Sequence, residues 1–239
     1  MFMKPYLSII IPVYNEERRL DQCLYRLMPH IVTYNTEIIV VNNGSTDKTR
    51  QALDVLQGMY RPLRVIHLEE RGKGRAVRAG MLAARGRYRY MCDVDLSTPP
   101  KEIHRFVEKA RVFDVVIGSR EIDTTTVKTN LKRRIIGRAF HLLVSGLLPG
   151  IRDTQCGFKM FRDEAAERIF NECQITGWAF DVEALTLASQ HGYSIHEMPV
   201  TWTQDADSRV RIVEDSLVMF FDILKLTMRT RTDVQLGTQ

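Results

Sequence analysis

The chain has 239 residues, 44% of them hydrophobic and 26% charged, a composition that suits one folded α/β domain and excludes a low-complexity polymer. Its four cysteines, Cys23, Cys92, Cys156 and Cys173, form no CxxC pair and no secretory leader is evident, which excludes a disulfide scaffold or zinc module and predicts reduced thiols. A net charge of +5 fits a phosphate-bearing partner, whether nucleotide, nucleic acid or anionic lipid, and no apolar run reaches the ~18 residues of a membrane span.

Leu7 to Val13 is a continuous apolar, β-branched run ended by turn residues, and Glu37 to Val41, Leu63 to Leu68, Tyr88 to Val94 and Val115 to Ile117 have the same form. Strands buried on both faces read this way. Helical spacing fills the intervals at Glu17 to Ile31, Thr46 to Gln57, Gly74 to Ala84 and Pro100 to Ala110, with caps expected at Ser45 or Thr46 and at Ser97 or Thr98. The alternation predicts a mostly parallel sheet covered by helices. After residue 120 the rhythm changes. A basic helical segment (Lys132 to Leu148) and a Gly-containing loop (Gly150 to Lys159) lead to helices at Asp163 to Cys173 and Phe180 to His191. A strand near Ile195 to Trp202 and an amphipathic helix from Val213 to Arg229 follow. No repeat or linker divides the chain, so residues 1–229 are expected to form one domain and 230–239 a disordered tail.

In an open parallel sheet the ligand site lies beyond the carboxyl ends of the strands. Three strands here end in polar residues: Pro12-Val13-Tyr14-Asn15-Glu16, Asn42-Asn43-Gly44-Ser45-Thr46-Asp47 and Asp93-Val94-Asp95. Asp93 and Asp95 are two residues apart, so on extended backbone both carboxylates face one side, as a divalent cation shared with a diphosphate requires. Oxygen donors suit Mg²⁺ or Mn²⁺. The plain alternative is a DxD tripeptide that caps the following helix. Lys73 and Arg75, flanked by Gly72 and Gly74, lack the Walker pattern and read as a loop near the ligand.

These three segments and Gly118-Ser119-Arg120 resemble the ordered signatures of glycosyltransferase family 2. Arg71-Gly72-Lys73-Gly74, Asp153-Thr154-Gln155-Cys156-Gly157-Phe158-Lys159 and Gly177-Trp178-Ala179-Phe180-Asp181 resemble its polyprenyl-phosphate branch, that of the dolichyl-phosphate β-glucosyltransferases and dolichyl-phosphate mannose synthases. The likeness spans residues 5 to 215. It implies an α/β fold of the GT-A type, with a nucleotide-sugar half over residues 5–120 and an acceptor half over 121–229.

By position, the resemblance implies that Pro12, Val13, Tyr14, Glu16, Val41 and Asn43 hold the base and ribose of a nucleotide-sugar. It gives Asp93, Val94 and Asp95 the metal and diphosphate, with Asp95 the first choice as metal ligand. Arg120 and Arg133 match the residues that hold the acceptor phosphate, and Arg209 matches a cover over the donor diphosphate. Asn42 and Asn43 depart from the family, whose members usually carry two aspartates there, which leaves the preference between uridine and guanosine open.

The activity so implied is inverting transfer of a hexose, from UDP-glucose first and GDP-mannose second, to a polyprenyl phosphate. Asp93, Asp95 and Arg120 would be the catalytic residues and Mg²⁺ or Mn²⁺ the cofactor. A phosphate acceptor, with a second ionisation near pH ~6, needs no protein base. Asp181 and Glu183 occupy the region where hydroxyl-glycosylating relatives keep a catalytic carboxylate, and a helix N-terminal acid favoured by the dipole is an equal reading. The cations and apolar stripe of Lys132 to Val144 suit an interfacial helix beside anionic lipid, with a core helix with basic ends as the alternative, and the expected location is peripheral, at the cytoplasmic face of a membrane. The rival readings are a soluble transferase with a hydroxyl acceptor and an inactive nucleotide-sugar binding module. No nucleic-acid recognition motif accompanies the positive charge.

Overall fold

A computed structural model describes residues 4–120, 144–203 and 218–229. Strands β1 (Leu7–Val13), β2 (Thr36–Asn43), β3 (Leu63–Leu68) and β4 (Tyr88–Met91) alternate with helices α1 (Leu20–Ile31), α2 (Thr49–Met59) and α3 (Lys73–Ala83). A 3₁₀ turn (Pro100–Glu102) runs into α4 (Ile103–Ala110), then come β5 (Val115–Ser119), β6 (Lys159–Arg162), α5 (Asp163–Glu172), α6 (Phe180–Gln190) and β7 (Ile195–Pro199). Residues 218–229 form α7.

The seven strands form one sheet in the order β3-β2-β1-β4-β6-β5-β7. Every pairing is parallel except those of β6, which runs antiparallel to both β4 and β5. The expected parallel sheet is therefore correct with one reversed strand. β6 is absent from the sequence reading because four residues, Lys-Met-Phe-Arg, carry too little periodicity to stand out from the loop before them.

Side chains alternate across the strands, so each face builds its own core. Leu7, Ile9, Ile11 and Val13 of β1 join the buried residues of α1, α2 and α4. Ile10, Ile39 and Val41 face the other way and meet α3, α5, α6 and α7. Burial of both faces explains why β1 and β2 read as unbroken apolar runs.

The amino ends of the strands are tied by a buried carboxylate remote from the ligand rim. Glu37 accepts hydrogen bonds from Ser8 Oγ at 2.6 Å, the Arg85 N–H at 2.6 Å and Arg64 Nη1 at 2.7 Å. Burial alone would raise its pKa, and those donors outweigh burial to hold it below the ordinary value.

The predicted caps are corrected. α2 starts at Thr49, where the N–H donates to Asp47 Oδ1 at 2.9 Å, so Ser45 and Thr46 belong to the preceding loop. Ser97 and Thr98 likewise precede the helix, whose first turn opens at Pro100.

Candidate functional site

The rim at the carboxyl ends of β1, β2 and β4 is knitted together by side-chain to backbone bonds. Asn15, left-handed at φ 55°, accepts the Thr46 N–H on its Oδ1 at 2.8 Å, while its own N–H donates to Ser45 Oγ at 2.9 Å. An asparagine tolerates that conformation better than most residues. The Glu16 N–H donates to Thr49 Oγ1 at 2.8 Å, joining the loop after β1 to α2. A cleft of about 470 Å³ opens here, lined by residues that include Tyr14, Glu16, Arg19 and Asp47. The Arg71 guanidinium lies over the Tyr14 ring at 4.1 Å. Pro12 and Val13 end β1 beside this cleft, with Val13 in the core. Val41 is fully enclosed and supports the rim from beneath.

Both unusual amides have local partners. Asn42 Nδ2 lies 3.1 Å from His67 Nδ1 and Asn42 Oδ1 accepts the Ser45 N–H at 3.1 Å. The amide can only donate through nitrogen, so His67 accepts at Nδ1 and its proton sits on Nε2, which faces Asp54 at 3.3 Å. Asn43 Oδ1 accepts the Gly72 N–H at 2.7 Å. That bond fixes the start of α3. Gly72 and Gly74 also let α3 press against the loop before α6, because a Cβ on either would meet the carbonyl of Thr176 or Ile175.

Lys73, the residue between those glycines, reaches the DxD segment. Its Nζ stands 2.8 Å from Asp93 Oδ1 and 5.0 Å from the centre of the Trp178 ring. Burial opposes the ammonium charge, but Asp93 and Asp181 outweigh burial and hold the Lys73 pKa above its ordinary value. The other Asp93 oxygen abuts Gly157, where any Cβ would collide with the carboxylate. Asp95 Oδ1 accepts the Ser97 N–H at 2.9 Å, and the next residue, Leu96, is left-handed at φ 50°. Val94 and Asp95 line a second cleft beside Arg19 and Arg26.

The donor set fits a hard divalent cation. Asp93 and Asp95 stand on the turn that follows β4, not on extended backbone as expected, and no group of three or more His, Cys, Asp or Glu converges among the described residues. The protein would then supply one or two oxygens and leave the remaining positions to water and phosphate, as Mg²⁺ sites on nucleotides usually do.

Arg120, at the end of β5, is held by a two-pronged pair: Nε meets Asp153 Oδ2 at 2.7 Å and Nη2 meets Asp153 Oδ1 at 2.9 Å. Its Cζ also stands 5.8 Å from the Trp202 ring centre. Burial would raise the Asp153 pKa, but Arg120 holds it below the ordinary value. Arg120 is thus oriented by Asp153 while about one third of its side chain remains exposed. Arg133, Arg209 and most of the basic segment Lys132 to Val144 lie outside the described residues.

Beneath the rim sits an ion pair that residue spacing did not reveal. Lys159 Nζ contacts Asp181 Oδ1 and the Cys156 carbonyl, with the two side chains only 1% and 5% exposed. Burial pushes the Asp181 pKa up, and the ammonium groups of Lys159 and Lys73 hold it back. Glu183 is fully buried: Oε2 accepts the Gln174 and Ile175 N–H groups at 2.9 and 2.7 Å, and Oε1 accepts from Arg229 Nη2 at 2.8 Å. Lys159, Gly157 and Trp178 all fall within the motif segments, and only the folded chain reveals what they touch.

Residues 8–170 match the model of the family described as glycosyl transferase family 2. The chain is similar to the dolichyl-phosphate beta-glucosyltransferase of Dictyostelium discoideum, 36% identical over 243 residues that cover 94% of this chain and 74% of that protein. It is also 36% identical to the Mus musculus protein of the same name, over 95% of this chain and 76% of that one. Among solved structures, glucosyl-3-phosphoglycerate synthase from Mycobacterium tuberculosis in complex with UDP superposes with a TM-score of 0.71 at 17% identity, covering 92% of this chain and 79% of that one. The same enzyme with Mn²⁺ and UDP-glucose gives a TM-score of 0.68 at 15% identity, covering 92% and 79%.

Proposed function

The chain belongs to glycosyl transferase family 2 and has the GT-A fold, and from that premise we propose that it transfers glucose from UDP-glucose to a polyprenyl phosphate such as dolichyl phosphate. The observation that carries the reading is the 36% identity to dolichyl-phosphate beta-glucosyltransferases across 94% of the chain. It gains support from the rim, where Lys73 and Gly157, from two of the segments that resemble that branch, lie against Asp93, and Asp181, from the third, contacts Lys159.

In this reading Tyr14, Glu16 and Asn43 hold the nucleoside, with Val41 supporting them from beneath. Asp95 and Asp93 would hold Mg²⁺ or Mn²⁺, which would supply charge stabilisation for the leaving nucleoside diphosphate. Lys73 fixes Asp93 and adds positive charge near the same phosphates. Arg120, aimed by Asp153, and Arg133 receive the acceptor phosphate, and Arg209 covers the donor. An acceptor phosphate oxygen forms the new bond to the anomeric carbon from the face opposite the leaving group. The bond to the nucleoside diphosphate breaks, and its electron pair departs with the diphosphate. Alignment and charge compensation account for most of the rate.

Such an acceptor places the enzyme at a lipid surface. No helix among the described residues is long and apolar enough to cross a membrane. Peripheral contact through the basic segment near Lys132 is part of the proposal.

The test supplies protein with Mn²⁺, a short polyprenyl phosphate and labelled UDP-glucose or GDP-mannose in separate reactions. Glucose label is expected in the organic phase, abolished by Asp95→Ala and by chelation of the metal. Mannose label alone would replace the donor assignment. Donor binding without lipid-linked label would transfer the proposal to a hydroxyl acceptor, or to a binding module if no acceptor works.

A further inference from the structure

Family 2 transferases that glycosylate hydroxyl groups need a base to take the proton from the acceptor, and the two acids at the start of α6 are the obvious candidates by position. The structure gives both a different occupation. Glu183 spends one oxygen on two backbone N–H groups and the other on Arg229, with no exposed surface. Asp181 spends Oδ1 on Lys159 and is 4% exposed.

The Lys159 ammonium also holds the Cys156 carbonyl, and the next residue, Gly157, is the one pressed against Asp93. A continuous chain of contacts therefore runs from Asp181 through Lys159 and the Cys156–Gly157 peptide to Asp93, whose other oxygen meets Lys73. Glu183 acts in parallel. By fixing Gln174 and Ile175 it holds the loop against which Gly72 and Gly74 are packed, and so seats Lys73 from the opposite side.

We infer that Asp181 and Lys159 are a positioning pair for the Asp93 carboxylate, that Glu183 positions Lys73, and that neither acid removes a proton from the acceptor. The inference rests on the transferase reading given above.

The deciding comparison uses three forms of the full chain: Asp181→Asn, Lys159→Gln, and the double variant carrying both. Donor affinity is measured calorimetrically with UDP-glucose and Mn²⁺, beside transfer to a short polyprenyl phosphate. A positioning pair predicts that each single change weakens donor binding and transfer together, by about 10- to 100-fold, since the partner charge is left buried and misplaced. The double variant, neutral at both positions, should recover most of both. A base at Asp181 predicts unchanged donor binding with transfer lowered by about 10²- to 10⁴-fold. In that case the double variant would be as inactive as Asp181→Asn, and this pattern overturns the inference. If a single variant fails to fold, the double variant decides alone. It lacks the carboxylate, so transfer near the wild-type level sustains the inference, and intact donor binding without transfer overturns it. Failure of the wider reading looks different: the wild-type chain would then transfer nothing to polyprenyl phosphate, while the pattern of donor affinities would still report on positioning.

Discussion

Gly157 does not adopt a left-handed φ, and its lack of a side chain matters because the Asp93 carboxylate occupies the space a Cβ would need. Gly157→Ala should therefore displace Asp93 while leaving the core of the sheet alone. Isothermal titration with UDP-glucose and Mn²⁺ should show donor affinity reduced by about tenfold or more, the scale at which residues behind a metal ligand act. Thermal unfolding should move by only a few degrees. The cysteines give a second prediction at this scale. Burial pushes the Cys23 thiol up to about 12 and the Cys156 thiol up to about 11, and Cys92 and Cys173 rise for the same reason. All four stay protonated at neutral pH, so a thiol reagent should label none of them in the native chain and all four after unfolding in guanidinium. What could be read of single residues without coordinates was their chemical type. Asp93 and Asp95 at a strand end are legible as candidate oxygen ligands. The partnership of Asp93 with Lys73 and Gly157 joins residues 20 and 64 positions away, and no local pattern encodes it.

Elements fold as the apolar pattern dictates wherever they are buried on both faces. β1 and β3 begin and end where the apolar runs do, and β2 extends the expected strand by a residue at its start and through Asn42 and Asn43 at its end. β4 stops at Met91, three residues short of the expected Val94, because the chain leaves the ladder to carry Asp93 to Asp95 into the rim. β6 escaped notice since its pairing with β4 and β5 is decided by tertiary context, as strand preference commonly is. The contact of α3 with the sheet gives a prediction of its own. Gly80 sits over β1 and β2, where an added Cβ would approach Ile10 Cγ2 at 2.5 Å and Val41 Cγ2 at 3.1 Å. Gly80→Ala should destabilise the fold by about 1–3 kcal/mol through overpacking, in spite of the better helix propensity of alanine. A denaturant titration with an unchanged slope and a lower midpoint would match this expectation, and an unchanged midpoint would contradict it.

Two charge networks among the described residues lie at opposite ends of the sheet. The network around Glu37 ties the amino ends of β1, β2 and β3. Its carboxyl is held below the ordinary glutamate value in the fold, so the stability it contributes is complete above that ordinary value. That contribution is lost as pH falls through the lower, folded value. Glu37→Gln should accordingly lower the melting temperature at neutral pH and flatten its decline on the acid side, with the two melting curves converging at the lowest pH tested. The network at the other end draws on both halves of the chain. Because β6 runs against its neighbours, it begins at the rim where β4 and β5 end, and this is how Lys159 comes to lie under Asp93. For a chain emerging from the ribosome, that reversal sets the order of completion. The strands that carry Tyr14, Asn43 and Asp93 are synthesised well before the lysine and the aspartate that brace them. The rim around Asp93 is therefore braced from beneath only after residue 181 has been added.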